Sequence, residues 1–162
     1  MDRAETLRRD VLVGLTAAPK FLLPKWFYDK VGSELLDQIA RLVEYSPTEA
    51  ECSALTRHVD EIVSIAGCDT LVELGSGSSD QTGVLLEALG QAGSSRRYVP
   101  FDVSESALRE AAVGLRARFP GLLIDGVVGD VDQYLSRIPP GGKRMVVFLG
   151  GTIGNDTPGD RR

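Results

Sequence analysis

Hydrophobic and polar positions alternate in two different rhythms along this chain. Up to Gly67 the apolar residues recur three and four apart, and from Thr70 they gather into short runs. In "AETLRRDVLVGLTA", Leu7, Val11, Leu12 and Leu15 share helical spacing, and Pro19 and Pro24 then interrupt the pattern. "KWFYDKVGSELLDQIARLVEY" carries Leu35, Leu36, Ile39 and Leu42 on one stripe. A third helix is signed at both ends. Ser46 can cap it, Pro47 suits the first helical position, and Glu49 completes a capping box; Gly67 closes it.

The second rhythm is that of strands. "TLVEL", "RRYVPF", "LLIDGVV" and "RMVVFLG" are four short β-prone runs. Helical patterns separate them: "SSDQTGVLLEALGQA", "SESALREAAVGLRARF" and, more weakly, "VDQYLSRI". Strands alternating with helices predict βαβ units and a parallel sheet. The chain therefore reads as α/β, with an N-terminal helical region over 1–67 and a sheet-bearing part over 68–162.

Composition narrows the partners. With 18 Lys+Arg against 23 Asp+Glu, the net charge of −5 argues against a nucleic-acid backbone or an anionic membrane as the main partner. No apolar run is long enough to cross a bilayer, and "MDRAETLRRDVLVGL" lacks a signal-peptide layout. Cys52 and Cys68 form neither a metal-ligand pattern nor a disulfide framework, as expected of thiols in a reducing cytoplasm. The only histidine, His58, falls mid-helix among polar residues and reads as solvated surface.

Candidate chemistry gathers at the strand ends, where parallel α/β sheets bind their ligands. Gly75 and Gly77 follow the first strand, Ser78 or Ser79 can cap the next helix, and Asp80 suits its first turn. The third glycine of a dinucleotide fingerprint would fall at Asp80 and is absent. The pattern suits a nucleoside-like ligand without phosphate; a plain strand-to-helix turn is the competing reading. Asp102, at the end of the second strand, can accept from both ribose hydroxyls, or simply open the following helix, although Ser104 is the better cap. Asp130, after the third strand, can accept from an exocyclic adenine amine or cap "VDQYLSRI".

The succession "VELGSG", "FDVS", "GD" resembles class I S-adenosylmethionine-dependent methyltransferases. More narrowly, "PKWFYDKVGSELLDQI", "VEYSPTEAE", "LVELGSGSS", "VPFDVS" and "VFLGGTIGN" resemble the histidine-specific N-α-methyltransferases of ergothioneine biosynthesis. The resemblance implies a Rossmann-like sheet and S-adenosylmethionine as cofactor. It implies that Gly75 lies against that cofactor, Asp102 holds the ribose and Asp130 reads the adenine. It further implies that Tyr45 and Asn155 grip the carboxylate and amino group of an amino-acid substrate, L-histidine, with Gly150 and Tyr28 near the reacting nitrogen. The residue types agree with the chemistry: phenol and amide groups orient an amine without adding charge that would hold it protonated. Tyr28 also fits an aromatic core cluster, Tyr45 a hydrophobic staple, and Asn155 an ordinary turn.

The chain departs from the family pattern in places. Gln81 stands where a lysine usually contacts the cofactor, and Val131 replaces an aromatic residue after Asp130. Ser46 stands where a second tyrosine is usual after Tyr45. The family's fold also needs further strands and a region that closes over the imidazole. The chain is accordingly expected to be a truncated N-terminal portion with an incomplete sheet, inactive alone, whose open strand edge awaits the missing half or another partner. Other readings are a methyltransferase of a different amino-acid amine, such as an indole derivative, a nucleotide-dependent oxidoreductase, and a non-catalytic remnant that binds a partner.

Overall fold

A computed structural model describes residues 3–77, 80–93, 97–131 and 135–155. Three helices come first: α1 (Arg3–Thr16), α2 (Lys30–Ala40) and α3 (Pro47–Ala66), with a short 3-10 turn at Pro24–Phe27 before α2. Next come β1 (Thr70–Leu74), α4 (Asp80–Gln91), β2 (Arg97–Asp102) and α5 (Glu105–Arg118). The segments β3 (Leu123–Ile124), β4 (Val127–Val128) and β5 (Arg144–Val147) follow, and 3-10 turns span Leu135–Arg137 and Thr152–Asn155.

All strand pairs are parallel. The order is β3-β2-β1-β5, and β4 also pairs with β2. The third strand read from the sequence is thus split at Asp125–Gly126, and Pro100 gives a physical reason. Asp125 donates its N–H to Tyr98 O at 3.0 Å, so Tyr98 faces that neighbour, and two positions on Pro100 faces it too. Proline has no N–H to continue the ladder there. Pairing resumes at Phe101 opposite Val127.

The core lies between this sheet and its covering helices. Leu71, Val72, Tyr98, Val99 and Phe101 are fully buried, and Leu85 and Leu89 of α4 share one core cluster with Leu71 and Tyr98. Val59 and Val63 bring α3 into the same core. Each large aliphatic side chain buried this way contributes about 1.5–3 kcal/mol. Gly67 ends α3 in the left-handed conformation, and Ser104 caps α5 by accepting from Ala107 N at 3.3 Å, both as the sequence suggests. Ser46 differs. Its backbone is already helical (φ −81°, ψ −14°) and its side chain makes no cap bond, so the capping box does not form. A cap needs the extended backbone that aims its oxygen at the first free N–H groups. Ser78 and Ser79 lie outside the described residues, as do 132–134 of the weak helix, of which only the 3-10 turn at Leu135–Arg137 and helical Val131 are described.

Candidate cofactor and substrate site

The glycine turn after β1 is tied to the end of β2. Gly75 and Gly77 have φ of 68° and 48°, a conformation in which a side chain would be strained. Gly75 N donates to Phe101 O at 2.8 Å, and Gly77 N donates to Asp102 Oδ2 at 3.0 Å. Asp102 Oδ1 accepts from Ser104 N at 2.9 Å. Asp102 therefore joins the glycine turn to the start of α5, while Ser104 does the capping. A carboxylate offers roughly four acceptor positions, so two N–H bonds leave capacity for a ligand hydroxyl. A Cβ built on Gly77 would meet nothing within 4 Å, so the turn opens onto free space.

Beneath the turn, Glu73 is buried. Its Oε2 accepts from Thr82 Oγ1 and from Tyr98 OH, both at 2.5 Å. Burial pushes this carboxyl above its ordinary range; the two hydroxyls pull it back, and nearby Asp102 adds to the upward push. The acidic residue before the glycines thus fastens α4 and β2 to β1 from inside.

After β4, Asp130 Oδ2 accepts from Lys25 Nζ at 2.7 Å, and Lys25 also reaches Asp10 at 3.3 Å. Trp26 Nε1 donates to Asp10 at 3.2 Å. Val131 is half-buried beside Asp130. No local pattern singles out Lys25, although it lies within the stretch "PKWFYD" that carries part of the family resemblance.

The residues assigned to the substrate fall into two groups. Asn155 Nδ2 donates to Tyr28 OH at 3.4 Å, which joins two candidates from opposite ends of the chain. The "WFYD" cluster is not core: Phe27 is 58% exposed and Tyr28 half-buried. Tyr45 stands on the turn between α2 and α3, 37% exposed, and its phenol makes no hydrogen bond among the described residues. Gly150, with φ 77°, follows β5, and its N–H donates to Glu51 Oε1 at 2.7 Å. The other oxygen of Glu51 accepts from Gln81 Nε2 at 2.8 Å. No local pattern singles out Glu51, although it ends the stretch "VEYSPTEAE" that carries part of the family resemblance, because its partners lie on two distant elements.

His58 is on the surface, 3.9 Å from Glu61. Both cysteines are free; Cys68 is buried, and burial pushes its thiol up. Among the described residues no group of three or more His, Cys, Asp or Glu could hold a metal, and no helix is long and apolar enough to cross a membrane.

A family model described as "Histidine-specific methyltransferase, SAM-dependent" matches residues 7–162. A histidine N-alpha-methyltransferase of Mycolicibacterium smegmatis is 56% identical over 158 residues, 98% of this chain and 49% of that protein. Its counterpart in Mycobacterium tuberculosis is 55% identical over 155 residues, 96% of this chain and 48% of that one. A 4-dimethylallyltryptophan N-methyltransferase of Claviceps purpurea is 29% identical over 160 residues, covering 93% of this chain and 46% of its own length. The chain spans about half the length of the curated relatives it matches.

Proposed function

The chain belongs to the family of histidine-specific, SAM-dependent methyltransferases, and we propose that it forms the cofactor-holding part of an enzyme that methylates the α-amino group of L-histidine in ergothioneine biosynthesis. The observation that carries this reading is the fastening of the open Gly75–Gly77 turn to Asp102 at the ends of adjacent strands. Gly75, Asp102, Asp130 with Val131, and Gln81 would hold S-adenosylmethionine. When bound, it supplies a methyl group on a positively charged sulfur. Tyr28 and Asn155 would orient the amino acid through neutral groups, with Tyr45 on its carboxylate and Gly150 beside the reacting nitrogen. Neutral donors leave the amine free of added charge, and holding it in line is the main catalytic lever. We assign the complete reaction to a protein of the relatives' full length, and place it in the cytoplasm, where Cys52 and Cys68 stay reduced.

Calorimetric titration of this chain with S-adenosylhomocysteine tests the cofactor assignment, and binding is expected. Radiolabelled methyl transfer is then followed in a polypeptide spanning the relatives' full length, with L-histidine and a tryptophan derivative offered together. Label in the histidine amine is expected. Label in the indole-bearing amine instead would transfer the assignment to the activity named for the Claviceps relative. A folded chain that binds no S-adenosylhomocysteine would overturn the whole reading.

A further inference from the structure

Glu51 stands between the two halves of the site. It lies in the opening turns of α3, half-buried, and each of its oxygens is taken by a different segment of the chain. Oε2 holds the Gln81 amide in the first turn of α4, on the cofactor side. Oε1 holds the Gly150 N–H, where the chain leaves β5 and enters the 3-10 turn that ends at Asn155. Asn155 in turn donates to Tyr28. An unbroken path therefore runs from Gln81 through Glu51 to Gly150, and on through that turn to the Tyr28–Asn155 pair.

We propose that Glu51 is a positioning residue that sets the spacing between the cofactor wall and the substrate turn, an inference that rests on the methyltransferase reading above. Two physical points favour it. A carboxylate accepting from two donors on separate elements fixes both, because each bond to an ionised acceptor is stronger than one between neutral groups. Gly150 also has positive φ and open space around it, so little else among the described residues pins that turn from the side. Lost spacing between donor and acceptor is costly in rate, because methyl transfer depends on a near-attack geometry.

The test uses residues 1–162 and four variants. In proton–nitrogen spectra, E51Q should move the Gly150 amide and the Gln81 side-chain amide together relative to the wild type. The variant's amide can still accept from Gly150, and Gln81 can meet it by turning its own amide over, but both bonds lose their ionised acceptor. S-adenosylhomocysteine should bind E51A on the order of tenfold more weakly, because binding must then also order the Gln81 side chain that Glu51 holds in place. E51Q should fall between, and E51Q/Q81E, which restores an ionised acceptor to the pair, should bind more tightly than either E51Q or Q81E alone. Unchanged affinity in E51Q, unmoved Gly150 and Gln81 amides in that variant, or no gain in the double variant would overturn the inference. If E51A fails to fold, the glutamine variants still decide it. A wild type that binds no S-adenosylhomocysteine would remove the methyltransferase reading, and the positioning role with it.

Discussion

Asp102 and Glu73 are two carboxylates one strand apart with opposite duties. Asp102 is half-exposed and holds the glycine turn through Gly77 N. Asp102→Ala should weaken S-adenosylhomocysteine binding by roughly 1.5–3 kcal/mol, the range for hydrogen bonds to a charged group. Calorimetry on folded protein checks it, and equal affinities would remove the ribose assignment. Glu73 is sealed among hydroxyls, and burial raises its folded value above the unfolded one. A carboxyl raised in this way favours the folded state when protonated, so stability is lost as pH rises through that window. Glu73→Gln escapes that loss, since an amide can accept from one hydroxyl and donate to the other. The melting temperature of the glutamine variant should therefore gain on the wild type as pH rises, and a difference independent of pH would refute the assigned cause. Legibility at this scale depends on chemistry. Gly75 and Asp102 can be proposed from sequence because parallel sheets bind ligands at their strand ends. Glu51 and Lys25 cannot, because a lone charge shows nothing of its partner until the chain is folded.

Lys25 links three elements that no sequence pattern connects: α1 through Asp10, its own 3-10 turn, and the strand end at Asp130. Burial would raise Asp10, but the Lys25 hydrogen bond and charge, helped by Trp26 and Arg9, hold it below its ordinary range. Burial would lower Lys25, and Asp130 and Asp10 together hold it above. The lowered Asp10 stabilises the fold above the unfolded carboxylate value, and that contribution fades as pH falls through the folded one. The raised Lys25 contributes below the unfolded lysine value and fades only as pH climbs through the folded one. Lys25→Met should therefore cost about 1–2 kcal/mol near neutrality, between exposed and buried ion pairs, and less in acid. Denaturant unfolding across the acid range checks this, and a cost that grows on acidification would contradict it. Most helices and strands are legible beforehand because their apolar spacing is local. The break between β3 and β4 is not, because it depends on which side of β2 the missing Pro100 N–H faces.

Over the whole molecule the α/β order read from the sequence holds, yet much apolar surface is left in the open. Of the stripe read from Leu35 to Leu42, Leu35 of α2 is 52% exposed and Leu42, in the turn after that helix, 54%, and Val146 of β5 is 58% exposed. Periodicity reveals that a helix has an apolar face, but not what covers it. Among the described residues β5 pairs only with β1, and strands with an uncovered edge recruit other chains. Val146→Lys should reduce self-association in sedimentation velocity across a wide concentration range, and an unchanged profile would locate any association elsewhere.

The strand order also sets a timetable for assembly. β1 and β2 are joined by a single helix, so they can pair while the ribosome is still adding residues, whereas Thr70 must wait for Arg144 before β5 can dock. The newborn β1–α4–β2 unit therefore carries a bare flank on β1 until β5 emerges. Hydrogen-exchange pulse labelling during refolding should find the β2 amides protected before those of β5. During synthesis, that interval is when a chaperone has most reason to engage the chain.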